Sequence, residues 1–141
     1  MLSQTAEYAL RAALYLARSS DGRPATAETI AGALAAPPNY MAKTLHALAK
    51  AGIVEGMRGP HGGFRLVPSP SELSVARIVE TFDEPVRRGP CLLGGRECDA
   101  ANPCGAHFRW LGLRRAMHAP LASTTLADLL ADVAMELPEA G

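Results

Sequence analysis

Long apolar runs are missing from this chain of 141 residues, and none reaches the about 18 consecutive positions that a membrane span requires. The first apolar stretch is broken by Glu7 and Arg11 and lacks the layout of a secretory leader, so a soluble, cytoplasmic protein is expected. Net charge is also missing: 14 Lys+Arg balance 14 Asp+Glu. That balance argues at first against nucleic acid as a partner, which usually calls for a basic surface. Cysteine is scarce, and three residues are an odd number for a disulfide framework but a natural one for a metal site that needs one more ligand. Repeats and low-complexity tracts are absent. So is any glycine motif that would cradle a phosphate after a strand, or any nucleophile set beside a base on an ordered turn, and enzymatic turnover is not expected.

The distribution of charge says more than its sum. Residues 1–66 carry a net charge of +3 and residues 67–141 a net charge of −3. A mildly basic first half joined to an acidic second half suits a binding module coupled to a regulatory or oligomerising one. At this length a domain with a long, partly exposed helix often completes its burial by dimerising.

Helical spacing of Ala6, Ala9, Leu10, Ala13, Leu14 and Ala17 predicts a first helix over 3–18, capped by Ser3 and stopped at Asp21-Gly22. Thr26 opens a second, with Ala27, Ile30, Ala31 and Leu34, which ends at Pro37-Pro38. Asn39 is placed to cap a third helix that buries Met41, Leu45 and Leu48, shows Tyr40, Lys43, Thr44 and Ala47 on its other face, and stops at Gly52. Two β-like runs, 53–57 and 63–67, flank the tip Arg58-Gly59-Pro60-His61-Gly62. Ser74 then caps a helix with Val75, Ile78, Val79 and Phe82 on one side. Pattern disappears from Pro85 to Pro103, a length uncommon inside a compact domain without a function. His107–His118 follows as a helix facing a partner, with Phe108, Leu111 and Met117 on one side, stopped at Pro120. Ser123, Thr124 or Thr125 caps a last helix from Leu126 to about Met135.

Three helices followed by a hairpin is the winged helix-turn-helix order. The expected fold class is therefore mainly α with a small β-hairpin wing, plus a long dimerisation helix. It divides into a DNA-binding domain with its linking helix over 1–84, a loop over 85–106, and the dimerisation and C-terminal helices over 107–141. A recognition helix needs an outward face that hydrogen-bonds base edges or phosphates. Asn39, Tyr40, Lys43 and Thr44 are candidates for that face, with Arg58, Gly59, Pro60, His61 and Gly62 at the wing. Arg58 stands out, since an arginine beside a glycine tip reaches a minor groove or clamps a phosphate. On a lone helix Tyr40, Lys43 and Lys50 would read as an ordinary solvated face; the order of elements around them favours double-stranded DNA.

Six residues separate Cys91 from Cys98, five separate Cys98 from Cys104, and His107 follows three positions later. Thiolates with one imidazole suit a structural zinc or an iron–sulfur cluster. Zinc ligands usually pair in close knuckles, so single cysteines spread over a glycine-rich loop favour the cluster. The plainer alternative is three reduced thiols without a role. For His46, His61 and His118 a solvated or capping imidazole is expected.

The chain resembles the IscR/NsrR-type family of winged-helix iron–sulfur transcriptional regulators. The residues that carry the resemblance are Ala6-Glu7-Tyr8-Ala9-Leu10-Arg11, Asn39-Tyr40-Met41, the wing Arg58-Gly59-Pro60-His61-Gly62-Gly63-Phe64, Val75-Ala76-Arg77-Ile78-Val79-Glu80, and the three cysteines with His107. It implies a homodimer whose long helices cross at the interface, with a cluster in the loop. IscR-like members take the fourth ligand from a histidine just after the third cysteine, matching His107, and hold a 2Fe-2S cluster. NsrR-like members take it from an N-terminal acidic residue of the partner subunit, matching Glu7, and hold a 4Fe-4S cluster. His107 is favoured because it is local and needs no second chain. The first cysteine interval is one residue longer than in either type, and Ala42 stands where IscR has an acidic residue. The resulting expectation is a repressor of pseudo-palindromic DNA that senses redox, iron–sulfur or nitric oxide status; the alternative is a zinc- or thiol-based switch on the same DNA-binding half.

Overall fold

The computed structural model describes residues 2–19, 21–83, 91, 93 and 99–133. Six helices and one hairpin occur among them in the order α1 (Gln4–Arg18), α2 (Ala27–Leu34), α3 (Pro38–Lys50), β1 (Val54–Met57), β2 (Gly63–Leu66), α4 (Val75–Val79), α5 (His107–Ser123) and α6 (Leu126–Val133). The fold is mainly helical with a two-stranded wing, as the sequence predicts.

Helix α1 is the hub. It packs against α2, α3, α4, α6 and β2. Ala6, Ala9, Ala12 and Ala13 are completely buried, and a side chain that small lets four neighbouring helices approach the same rod. Ile30, Met41, Leu45, Leu48, Ile53, Leu73, Ile78 and Leu126 fill the space around it, all fully buried. Burying a side chain of this size from water contributes roughly 1.5–3 kcal/mol, so this shell is the main favourable term.

Local chemistry sets the helix starts. Ser3, Thr26 and Ser74 each accept a backbone N–H three residues on, satisfying a donor that has no partner inside the helix. Helix α2 ends before the prolines require it to: Ala35 takes a left-handed conformation (φ 52°), and the N–H of Ala36 returns to the carbonyl of Ala31 at 2.9 Å. Asn39 does not cap α3. The cap position is Pro37 and the first helical residue is Pro38, a place where proline loses no hydrogen bond and its fixed φ already suits the helix.

In the wing, Val54 pairs with Leu66 and Met57 with Gly63. A bridge between Ala25 and Phe64 adds a third edge, with Ala25 N–H to Phe64 O at 2.9 Å and Phe64 N–H to Ala25 O at 2.7 Å. Gly63 makes that bridge possible: at φ 142° it lies so close that a Cβ would stand 2.5 Å from the Ala25 carbonyl.

One expectation for the C-terminal part changes. Helix α5 does not stop at Pro120 but runs on to Ser123, because proline costs one hydrogen bond to the carbonyl of Ala116, and both residues are exposed to water that can replace it. Helix α6 shares the core of the first helices. Leu126 N–H binds Leu73 O at 2.9 Å, Ala127 N–H binds Pro70 O at 3.1 Å, and Leu126 is completely buried. Its cap is Thr125, whose hydroxyl accepts the Asp128 N–H at 3.2 Å while the Asp128 carboxylate accepts the Thr125 N–H at 2.9 Å. No described helix is long and apolar enough to cross a membrane.

Candidate nucleic-acid interface and metal centre

The second and third helices pack on each other as a helix-turn-helix, and the hairpin follows within four residues of α3. Asn39 and Lys43 are exposed on α3, one turn apart. Tyr40 is half-buried. Its hydroxyl meets the Thr5 hydroxyl of α1, and its ring meets Tyr8 edge-on, with centroids 5.6 Å apart. The outward placement of Thr44 is corrected: the residue is buried, and its hydroxyl donates to the Tyr40 carbonyl one turn back at 2.9 Å. A small hydroxyl that can satisfy itself on its own helix is tolerated inside, and for that reason periodicity alone misplaced it.

At the wing tip Arg58, Gly59, Pro60 and His61 are all exposed. Gly62 closes the turn through its N–H to Gly59 O at 2.9 Å, and a Cβ there would stand 2.3 Å from Met57 O. An open groove between the start of α2 and the wing is lined by Arg23, Pro24, Thr26, Thr29, Pro60 and His61. Arg23 and Thr29 were not singled out in the sequence, since a single charge before a helix carries no periodic signal. His46 is exposed as expected, but its ring also meets Phe64 of β2 edge-on at 5.4 Å and so ties α3 to the wing.

Of the four proposed ligands on the loop and its exit, Cys91, Cys104 and His107 are described, and Cys98 lies outside the described residues. The sulfurs of Cys91 and Cys104, thirteen positions apart in sequence, are 3.3 Å apart. That is well beyond a disulfide bond of about 2.05 Å. It is near the roughly 3.7 Å that two thiolates have on one tetrahedral metal with 2.3 Å bonds. Cys91 is buried, Cys104 half-buried. His107 is 4% exposed, starts α5 and donates its backbone N–H to Cys104 O at 3.1 Å. Among the described residues no three His, Cys, Asp or Glu side chains converge as a metal site. Glu7 is exposed in the first turn of α1. The donor chemistry therefore fits a sulfur-bound metal centre at two thiols, with an imidazole entering the adjacent helix.

Helix α5 carries apolar residues on both sides. His107 and Arg114 are buried toward the domain, with Trp110 and His118 half-buried beside them and the Arg114 guanidinium 5.4 Å from the Trp110 ring centre. Outward face Phe108, Leu113 and Met117, at 78%, 56% and 50% exposure. Leu111, expected on that outward side, is half-buried instead, and His118, expected as a solvated or capping imidazole, is half-buried and packs against Glu80 at the C-cap of α4.

Comparison with known proteins agrees with this geometry. Residues 2–132 match the profile of the family described as Rrf2, iron-dependent transcriptional regulator. The HTH-type transcriptional regulator NsrR of Geobacillus kaustophilus is 31% identical over 132 residues, covering 93% of this chain and 90% of that protein. The HTH-type transcriptional regulator IscR of Vibrio atlanticus is 30% identical over 131 residues, covering 93% of this chain and 75% of that protein. The structure of CymR, the global cysteine regulator of B. subtilis, superposes with a TM-score of 0.78 over 94% of this chain and 97% of that one, at 24% identity, a likeness of fold alone.

Proposed function

The chain belongs to the Rrf2 family of transcriptional regulators, and on that premise we propose that it is a homodimeric winged-helix repressor of a pseudo-palindromic DNA site, governed by an iron–sulfur cluster on Cys91, Cys98, Cys104 and His107. Residues 1–84 read DNA, 85–106 hold the cluster, and α5 pairs with its copy in a second subunit. Asn39 and Lys43 face the major groove, while Arg58, with Gly59, Pro60, His61 and Gly62 around it, contacts the flanking backbone or minor groove. The observation that carries the cluster reading is the approach of the Cys91 and Cys104 sulfurs to 3.3 Å across thirteen positions, at a half-buried place three residues before the buried His107. His107 as the local fourth ligand favours a 2Fe-2S centre; Glu7 of a partner subunit is the alternative, with a 4Fe-4S centre.

When bound, the cluster supplies a centre whose presence and oxidation state differ with redox, iron and nitric oxide conditions. The protein's part is to transmit the difference, and the loop is anchored at both ends for doing so. Its exit is the first turn of α5. At its entry the Asp83 carboxylate accepts the Ser3 N–H at 2.9 Å, and Ser3 caps α1, the helix that touches the recognition helix. Loop states with different affinities for these anchors shift the balance between DNA-competent and incompetent dimers.

Anaerobic purification with iron and sulfide analysis tests the reading. Wild-type protein is expected to be coloured, and Cys91→Ala, Cys98→Ala and Cys104→Ala colourless. Full colour in all three variants would overturn it. A zinc or thiol switch is the second reading, since two thiols 3.3 Å apart also suit a shared zinc ion or thiol chemistry; stoichiometric zinc without sulfide would decide for it.

A further inference from the structure

Helix α3 has no side-chain cap at its start, since Pro37 makes no capping hydrogen bond. Its first turn is therefore oriented by tertiary contacts: Met41 is fully buried in the core, and Tyr40, on the side of Asn39 and Lys43, leans on α1. The Tyr40 hydroxyl bonds the Thr5 hydroxyl. Its ring lies against the edge of Tyr8, at an interplanar angle of 67°. Thr5 and Tyr8 are three positions apart on α1 and so share one face. Within α3 itself, buried Thr44 donates its hydroxyl to the Tyr40 carbonyl one turn back. Asn39 and Lys43, on either side, are exposed, whereas Tyr40 is half-buried and its hydroxyl already has a protein partner.

We infer that Tyr40 is a positioning residue that determines specificity through Thr5 and Tyr8, by holding the start of the recognition helix at the place where Asn39 and Lys43 meet base edges. The inference rests on the DNA-binding reading above and changes the role that the sequence suggests for Tyr40, from groove contact to strut. Base-edge hydrogen bonds fade within a few tenths of an ångström beyond 3.2 Å, so a small drift of the first turn is felt as lost discrimination. Non-specific phosphate attraction tolerates the same drift, because it falls off slowly with distance.

The probe is a duplex enriched by the full-length wild-type protein from a random-sequence library, compared with a scrambled duplex of the same length. Tyr40→Phe and Thr5→Val are each expected to weaken binding of the enriched duplex about fivefold, the worth of one ordinary hydrogen bond. Affinity for the scrambled duplex and the dependence on salt should stay at wild-type values. The double variant should lose no more than either single one, and Thr5→Ser, which keeps the hydroxyl, should bind as wild type. Tyr40→Phe keeps the ring against Tyr8, and melting temperature checks that each variant is folded. If the Tyr40→Phe loss persists in full on the Thr5→Val background, or scrambled-duplex affinity and salt slope fall with it, Tyr40 touches DNA itself and the inference is overturned. Failure of the wild type to enrich any duplex would overturn the DNA-binding reading instead, and this one with it.

Discussion

His118 of α5 places its Nδ1 3.1 Å from Oε1 of Glu80 at the end of α4, and both atoms are sealed from water. The approach is not aligned as a hydrogen bond, and neither atom has another partner among the described residues. The pair joins α5 to the end of α4.

Truncating either partner removes this contact. Glu80→Ala or His118→Ala alone should cost about 0.2–1 kcal/mol in urea unfolding, the range of a partly exposed ion pair. Removing both should cost less than the two single losses together. Strict additivity would mean that the contact contributes nothing as a pair.

The outward face of α5 exposes Phe108, Leu113 and Met117, and the proposed dimer buries them. Met117→Glu would set a charge against its symmetry mate or against apolar surface, so sedimentation should find monomers where the wild type is dimeric. Affinity for a two-half-site duplex should fall in parallel. A wild type that is monomeric at micromolar concentration would contradict the arrangement.

At the wing, Arg58 is exposed at the tip. Arg58→Ala should lower the slope of log affinity against log salt by about one, the signature of one lost phosphate contact, without changing stability. An unchanged slope would remove Arg58 from the backbone contacts.

The cap of α6 is sensitive to acid. The Thr125 backbone N–H, and then its hydroxyl, hold the Asp128 carboxyl below its ordinary value of 3.8. A folded value below the unfolded one means that the stabilisation is complete above the unfolded value and is lost as pH falls through the folded one. The first turn of α6 should therefore open as pH falls below about 4, seen as faster amide exchange there. Asp128→Asn should remove that pH dependence while leaving the rest of the protein unaffected.

Much of the architecture was legible before any coordinates. Ser3, Thr26 and Ser74 announce helix starts because capping is a contact between neighbours in sequence, and the glycines from 59 to 63 announce the wing because tight turns need them. Asn39 misled because two rules competed there, and proline at the first helical position won over asparagine at the cap. The cysteine spacing pointed to a metal centre, but spacing does not say which sulfurs approach each other.

Sequence alone determined the succession of elements, the apolar stripes of α1 to α3 and the composition of the wing and loop, since each depends on residues within a turn or two of one another. Tertiary structure decided that Thr44 is inside, that Tyr40 leans on Thr5 and Tyr8, that α6 returns to the first core, and which side of α5 faces outward. These depend on which surfaces meet. On a helix such as α5, with apolar and charged residues on every side, periodicity carries no preference, and only the packing of the other helices against it chooses.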